Sequence, residues 1–194
     1  MLKSIDYYKE KLLKKYQEAG DEKAFKRYLH SLSVGKKAIE IAKTFNFDLD
    51  LKKLEIAGIL HDYAKYEPLS RYEEIVFKYN LDPDLLNLNY KLLHSVLGDY
   101  IVREDLDIND LEILNAIKYH TLGSLEMDKY AEVIYVADLS ENLRIKPGFD
   151  KIKYYSKTNF KKAIIEKIEY SLKNNDTLLN RNLLKKYTEE TWNY

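Results

Sequence analysis

The 194-residue chain contains no cysteine. That excludes disulfides, thiolate zinc sites, iron–sulfur clusters and cysteine nucleophiles together, and leaves imidazole and oxygen as the donors for any metal. Proline (3) and glycine (6) are scarce, so little in the chain interrupts a helix. Neither sign of charge prevails: 32 basic and 32 acidic residues cancel, giving no bulk attraction to nucleic acid or to an anionic membrane. No apolar run approaches the ~20 residues of a membrane-spanning helix. The N-terminal "MLKSIDYYKEKLLKKYQEAGDEK" is amphipathic and laced with acids, without the apolar centre of a secretion signal. A cytoplasmic protein is expected, with neither nucleic acid nor membrane as partner.

What is present reads as helix. Apolar residues recur at steps of three and four almost throughout, with no strict alternation, internal repeat or low-complexity linker. The expectation is an all-α chain forming a single compact helical bundle. Helices are expected near 5–18 (ending at Gly20), 23–45 (with Gly35 inside) and 51–64 (ending before Pro68). Shorter ones follow near 70–79, 84–92, 96–104, 109–120 and 127–141, then two longer amphipathic ones near 159–174 and 177–192. Pro147 and Gly148 mark a turn before that last pair. This divides the chain into an N-terminal helical extension (1–22), a core (23–150) and C-terminal helices packed on it (151–194). The apolar positions of the C-terminal helices leave a homodimer open.

The four histidines fall at helical positions that point inward or lie at helix ends. His30 shares a face with Val34, Ala38, Ile41 and Phe45; His61 follows Leu54, Ala57 and Gly58; His120 completes Ile113, Ala116 and Ile117. His94 follows Leu93, and Asp138 follows Ala131 and Ile134 in the apolar "YAEVIYVADLSE". In "EIAGILHDYAKYEP" an imidazole and a carboxylate, His61 and Asp62, stand side by side. One histidine on an apolar face is ordinarily a core residue with a satisfied hydrogen bond. Four of them with two acids, all in apolar helices, need one another or a cation, because buried charge is costly without a partner. Four imidazoles and two carboxylates exceed one tetrahedral site and suit two ions bridged by a carboxylate. Nitrogen and oxygen donors without thiolate favour iron, manganese, zinc or nickel over calcium or magnesium.

The blocks "RYLHSLSV" (27–34), "LHDYAK" (60–65), "LLHSVLG" (92–98), "AIKYHTLG" (116–123) and "VIYVADLSENLR" (133–144) stand in that order. Together they resemble the metal-dependent phosphohydrolases of the HD-domain superfamily in its binuclear form. Within it they are similar to the bacterial symmetrical diadenosine-tetraphosphate hydrolases, and "NRNLL" (180–184) resembles that family's closing helix. The chain departs from the pattern at Leu122, where a threonine is usual, at Asp99, where a small residue is usual, and at Ser140 and Asn142, where the family commonly has a bulky apolar residue and a proline on either side of a glutamate.

The resemblance implies a first metal held by His30, His61, Asp62 and Asp138. A second would be held by His94 and His120, with Asp62 bridging. Iron is the metal implied, with manganese, zinc, nickel or cobalt as substitutes. The implied reaction is cleavage of a dinucleoside polyphosphate by metal-activated water, diadenosine tetraphosphate giving two ADP. Asp62 and Lys65 would be catalytic. Arg27, Lys65, Thr121 and Arg144, each beside a metal block, are the expected substrate contacts. The competing readings are an HD-type nucleotidase or deoxynucleotide phosphohydrolase, and a non-catalytic nucleotide-binding sensor.

Overall fold

Helix starts follow from local chemistry. Ser4, Asp50, Asn89, Asp110, Asp128 and Asn159 each precede a helix and accept a hydrogen bond from a backbone N–H of its first turn. They satisfy donors that have no partner inside the helix. Gly20, in the left-handed region at φ +65°, closes the first helix. The computed structural model describes residues 2–145 and 147–189. Among the described residues there are eleven α-helices and no strand. They are α1 (Ile5–Ala19), α2 (Ala24–Thr44), α3 (Leu51–Leu60), α4 (Leu69–Lys78), α5 (Tyr90–Val96) and α6 (Gly98–Leu106). After them come α7 (Leu111–Tyr119), α8 (Lys129–Ser140), α9 (Asp150–Thr158), α10 (Phe160–Asn174) and α11 (Leu178–Glu189). A 3-10 turn, Pro83–Asn87, joins α4 to α5. No described helix is long and apolar enough to cross a membrane.

The centre of the bundle is made by α2, α3, α7 and α8. α2 lies against α3 and α8, and α7 closes the group by packing on α3 and α8. α1 lies on α2 and α3, burying Tyr8, Leu12 and Tyr16 at four-residue spacing. α5 and α6 flank α7, while α10 packs on α8 and carries α9 and α11 on its other sides.

Three elements differ from the sequence-based expectation for physical reasons. The third helix stops at Leu60 instead of Ala64, and residues 61–66 form tight turns. There Tyr63 N–H bonds Leu60 O and Lys65 N–H bonds Asp62 O, while the hydroxyls of Tyr16 and Tyr72 donate to the carbonyls of Asp62 and Ala64. Those side-chain donors replace the helical partners that the carbonyls give up. Instead of one helix at 84–92 there is the 3-10 turn and then α5, each started by its own cap, Asp82 and Asn89. His94 therefore sits within a helix rather than beyond one. α9 was not expected, because its inward face holds just Ile152 and Ser156. The other boundaries shift by one or two residues, the ordinary fraying of helix ends. Of the last expected helix, residues 190–192 lie outside the described residues.

The helices that carry His30 and His61 cross at two glycines. A Cβ on Gly58 would stand 2.5 Å from Gly35 Cα and 2.6 Å from Gly35 N, backbone atoms that no rotamer change can move. A Cβ on Gly35 would meet Glu55 O at 3.0 Å. Close approach of α2 and α3 depends on both residues lacking a side chain, and most strictly on Gly58. Gly58→Ala is expected to cost about 2–3 kcal/mol by overpacking and to lower the thermal midpoint by roughly 5–10 °C. Gly35→Ala should cost less. Circular-dichroism melts of both variants check this; an unchanged midpoint for Gly58→Ala would contradict the contact.

Candidate metal centre

Six polar side chains from five elements face one another inside this bundle. His30 comes from α2, His61 and Asp62 from the end of α3, His94 from α5, His120 from the C-cap of α7, and Asp138 from α8. All six are buried, Asp62 to 2% exposure. The Asp62 carboxylate divides the group in two. Its Oδ1 lies 2.9 Å from His94 Nε2 and 3.6 Å from His120 Nε2. Its Oδ2 lies 3.4 Å from His61 Nε2 and 4.0 Å from His30 Nε2. Asp138 Oδ1 completes the second half, 3.2 Å from His30 Nε2 and 3.8 Å from His61 Nε2. The donor atoms of His30, His61 and Asp62, and those of Asp62, His94 and His120, each lie within 4.8 Å of one another.

Three rings are held by the nitrogen that faces away from the carboxylates. His61 Nδ1 donates to Gly58 O at 2.7 Å and His120 Nδ1 donates to Ile117 O at 2.6 Å, each reaching back one turn of its own helix. His30 Nδ1 donates to Glu141 Oε1 at 3.1 Å. A proton fixed on Nδ1 leaves the lone pair on Nε2, the arrangement of a metal-binding imidazole oriented by a neighbour. His61 Nε2 is buried with no hydrogen-bond partner among the described residues. A donor atom left in that position is costly unless something accepts its lone pair. The set fits a divalent cation.

The electrostatics are consistent with that fit. Burial alone would raise the pKa of Asp62, but its electrostatic surroundings, His61 and Lys65 foremost, hold it well below the usual carboxylate range. Burial would likewise raise Asp138, and Lys167, the His30 hydrogen bond and Arg144 hold it well below. Burial pushes His120 down to about 3 and lowers His94, overriding their attraction to Asp62. His30 is pulled down by burial but raised on balance by its hydrogen bonds to Asp138 and Glu141. Two ionised carboxylates thus stand beside two imidazoles kept neutral, the protonation states that metal ligands require.

The expected substrate contacts separate into two groups. Arg27 Nη1 donates to Asp62 Oδ2 at 2.9 Å, and Arg144 Nη2 donates to Asp138 Oδ1 at 2.8 Å. Lys65 Nζ reaches the His94 ring, 3.0 Å from Nε2, and lies 3.8 Å from Asp62 Oδ1. Thr121 is in the turn after α7, half-buried, and makes no side-chain hydrogen bond to the group among the described residues.

Two residues at the centre escaped the sequence reading. Glu141 orients His30, and Lys167 is buried on α10 with its ammonium donating to His120 O at 2.8 Å, to Tyr135 O and to Asp138 Oδ2 at 3.4 Å. Lys167 stands on the apolar stripe Phe160, Ala163, Ile164 and Ile168, and a lysine in such a stripe is the signal that marks it. Glu141 follows Asp138 by three residues, one turn further along, and its signal is the glutamate that the resembled family commonly carries there.

Residues 27–143 match the family model described as the HD domain. The chain belongs to the HD-domain family. Among HD-domain relatives it is 38% identical to the symmetrical bis(5'-nucleosyl)-tetraphosphatase of Bacillus subtilis, over 75% of this chain and 77% of that protein. It is 41% identical to the protein of the same name from Staphylococcus aureus, over 73% of each. A Clostridium acetobutylicum crystal structure, described as a predicted HD superfamily hydrolase involved in NAD metabolism, superposes with a TM-score of 0.79 at 28% identity, covering 96% of this chain and all of that one. The stretch that matches the HD domain contains all six of the facing side chains.

Lys167→Met removes the cation opposite Asp138 and takes one hydrogen-bond donor from each of the His120 and Tyr135 carbonyls. Breaking a buried charge pair costs about 3–5 kcal/mol, which lowers the thermal midpoint by roughly 10 °C. Loss of an orienting partner is expected to weaken metal retention about tenfold or more. Elemental analysis after dialysis, alongside a melt, checks both; a variant that retains metal as the parent does would show that Lys167 supports the fold alone.

Proposed function

We propose that the chain hydrolyses dinucleoside polyphosphates, and that diadenosine tetraphosphate is cut symmetrically to two ADP. The observation that carries this reading is the Asp62 carboxylate, each oxygen of which faces a different pair of imidazoles. His30, His61, Asp62 and Asp138 would hold one cation, and His94, His120 and Asp62 a second. Iron, the metal that the family resemblance implies, is the one we favour among the several that suit a nitrogen and oxygen donor set without thiolate. Two cations held there would supply Lewis-acid polarisation of phosphoryl oxygens and activation of the attacking water. Support for the substrate comes from the names of the Bacillus and Staphylococcus relatives, at 38% and 41% identity.

The remaining work falls to side chains at the mouth of the site. Phosphoanhydride hydrolysis asks for positioning and charge stabilisation, so a chain without cysteine loses nothing. The guanidiniums of Arg27 and Arg144 present planar donor pairs suited to phosphate oxygens. Lys65, beside His94, brings a cation to the bridging or leaving oxygen. Water adds to one phosphorus, the bond from that phosphorus to the central bridging oxygen breaks, and each ADP leaves with two of the four phosphates.

Metal-loaded protein incubated with diadenosine tetraphosphate should yield ADP as the sole nucleotide product, separated chromatographically; AMP with ATP would contradict the symmetrical cut. Asp62→Asn should lower turnover by at least ~10²–10³ and deplete bound metal while the helical circular-dichroism signal persists. Turnover equal to the parent's would remove Asp62 from the mechanism.

A further inference from the structure

The family match spans residues 27–143, so α1 (Ile5–Ala19) lies wholly outside it. Two neighbouring residues of α1 nevertheless reach the turn that carries Asp62. Tyr16, in the last turn of α1, is 1% exposed, and its hydroxyl donates to the Asp62 carbonyl at 2.8 Å. Lys15 beside it pairs with the carboxylate of Glu67, just past the far end of that turn, and with Asp105 of α6 at 2.8 Å. Its ammonium also lies 4.5 Å from the centre of the Tyr63 ring. One helix thus holds both ends of the segment 62–67. The helix is itself firmly seated, with Tyr8, Leu12 and Tyr16 buried on the side that packs against α2 and α3.

This hold matters because of where α3 stops. Past Leu60 the chain leaves the helix, so Asp62 lacks the regular backbone ladder that would fix its peptide inside one. Its carbonyl accepts from two donors, the Tyr16 hydroxyl and Lys65 N–H at 2.9 Å. The Lys65 bond is internal to the turn and moves with it, whereas the Tyr16 bond ties the turn to another helix. The Asp62 side chain hangs from that peptide. One of its oxygens faces His94 and His120, the other His61 and His30, so a swing of the peptide would carry the carboxylate away from both pairs together. Tyr16 is poorly placed to follow such a swing: its ring meets Tyr66 edge-to-face at 5.2 Å and is shut away from solvent.

We infer that Tyr16 is a positioning residue of the metal centre, its hydroxyl setting the orientation of the shared Asp62 carboxylate. The N-terminal helix is then part of the catalytic unit, although the family match leaves it out. The inference rests on the two-cation reading of the site and adds to it a residue that touches neither cation nor substrate and acts through Asp62. Because that carboxylate serves both sites, the mark of Tyr16 is the joint weakening of both cations with substrate affinity unaltered.

Tyr16→Phe removes the hydroxyl and keeps the ring, and Tyr8→Phe is its matched control. Tyr8 is equally buried, stands roughly 12 Å earlier on the same helix, and its hydroxyl accepts the backbone N–H of Lys3. Equilibrium dialysis against manganese, with bound metal counted per chain, should show two ions on the parent and on Tyr8→Phe. Tyr16→Phe should bind both about tenfold more weakly, the loss typical of a missing orienting partner. At the manganese level that just saturates the parent, its kcat on diadenosine tetraphosphate should fall about tenfold with KM unchanged, as for a group that makes no contact with substrate. Parent-like manganese affinity in Tyr16→Phe, loss of one ion alone, or an equal loss in Tyr8→Phe overturns the assignment, as does a raised KM with kcat preserved. A parent that binds fewer than two ions overturns it together with the shared site. A parent that binds two ions but leaves diadenosine tetraphosphate intact would sink the proposed activity, and the dialysis then decides Tyr16 by itself.

Discussion

A carboxylate shut away from water governs this molecule. Asp62 is 2% exposed, yet its surroundings keep it ionised. An ion in that position costs several kcal/mol unless charge and hydrogen bonds are arranged around it. Its four imidazole neighbours come from α2, α3, α5 and α7, so bringing them within reach dictates how those helices pack. The glycine crossing of α2 and α3 sets His30 beside His61. The early end of α3 turns two adjacent residues toward the same point, which a continuing helix would direct about 100° apart. Tyr16 of α1 donates to the Asp62 carbonyl and Tyr72 of α4 to that of Ala64, so helices remote in the chain stabilise the turn.

Around that centre lies a ring of groups whose task is orientation. Gly58 O, Ile117 O and Glu141 each accept one imidazole N–H, and Lys167 ties the Asp138 carboxylate to the backbone of its own helix at Tyr135 and to the end of α7 at His120. Each fixes which atom of a side chain faces inward. This is how a helical bundle without cysteine can present nitrogen and oxygen donors in one geometry while the rest of its core remains apolar. Arg27 and Arg144 then bring positive charge to the mouth, where the same carboxylates hold them.

Much of this was legible before any coordinates. Polar residues at helical spacing inside apolar stripes stand out because burial without a partner is expensive, and so His30, His61, Asp62, His94, His120 and Asp138 could be gathered from the sequence. The all-α architecture followed from periodicity and from the scarcity of helix breakers. Other features depend on tertiary contact and leave little local trace. The stop at Leu60 is set by hydroxyls of distant tyrosines, and α9 has too narrow an apolar face to announce itself. Glu141 coincides with a glutamate common in the resembled family, a trace that does not by itself tell that it orients His30. Lys167 carried a pattern of its own, a lysine within an apolar stripe, and the spacing of Phe160, Ala163, Ile164 and Ile168 was enough to find it. Thr121 illustrates the converse: adjacency to His120 in sequence does not bring its hydroxyl into the group.

The central claim is that Asp62 joins two cation sites. Crystals of the metal-loaded protein, measured at the absorption edge of the bound metal, test it most directly through an anomalous difference map. Two peaks are predicted on opposite sides of the Asp62 carboxylate, one against His30, His61 and Asp138, the other against His94 and His120. A single peak, or peaks that Asp62 does not contact, would contradict it.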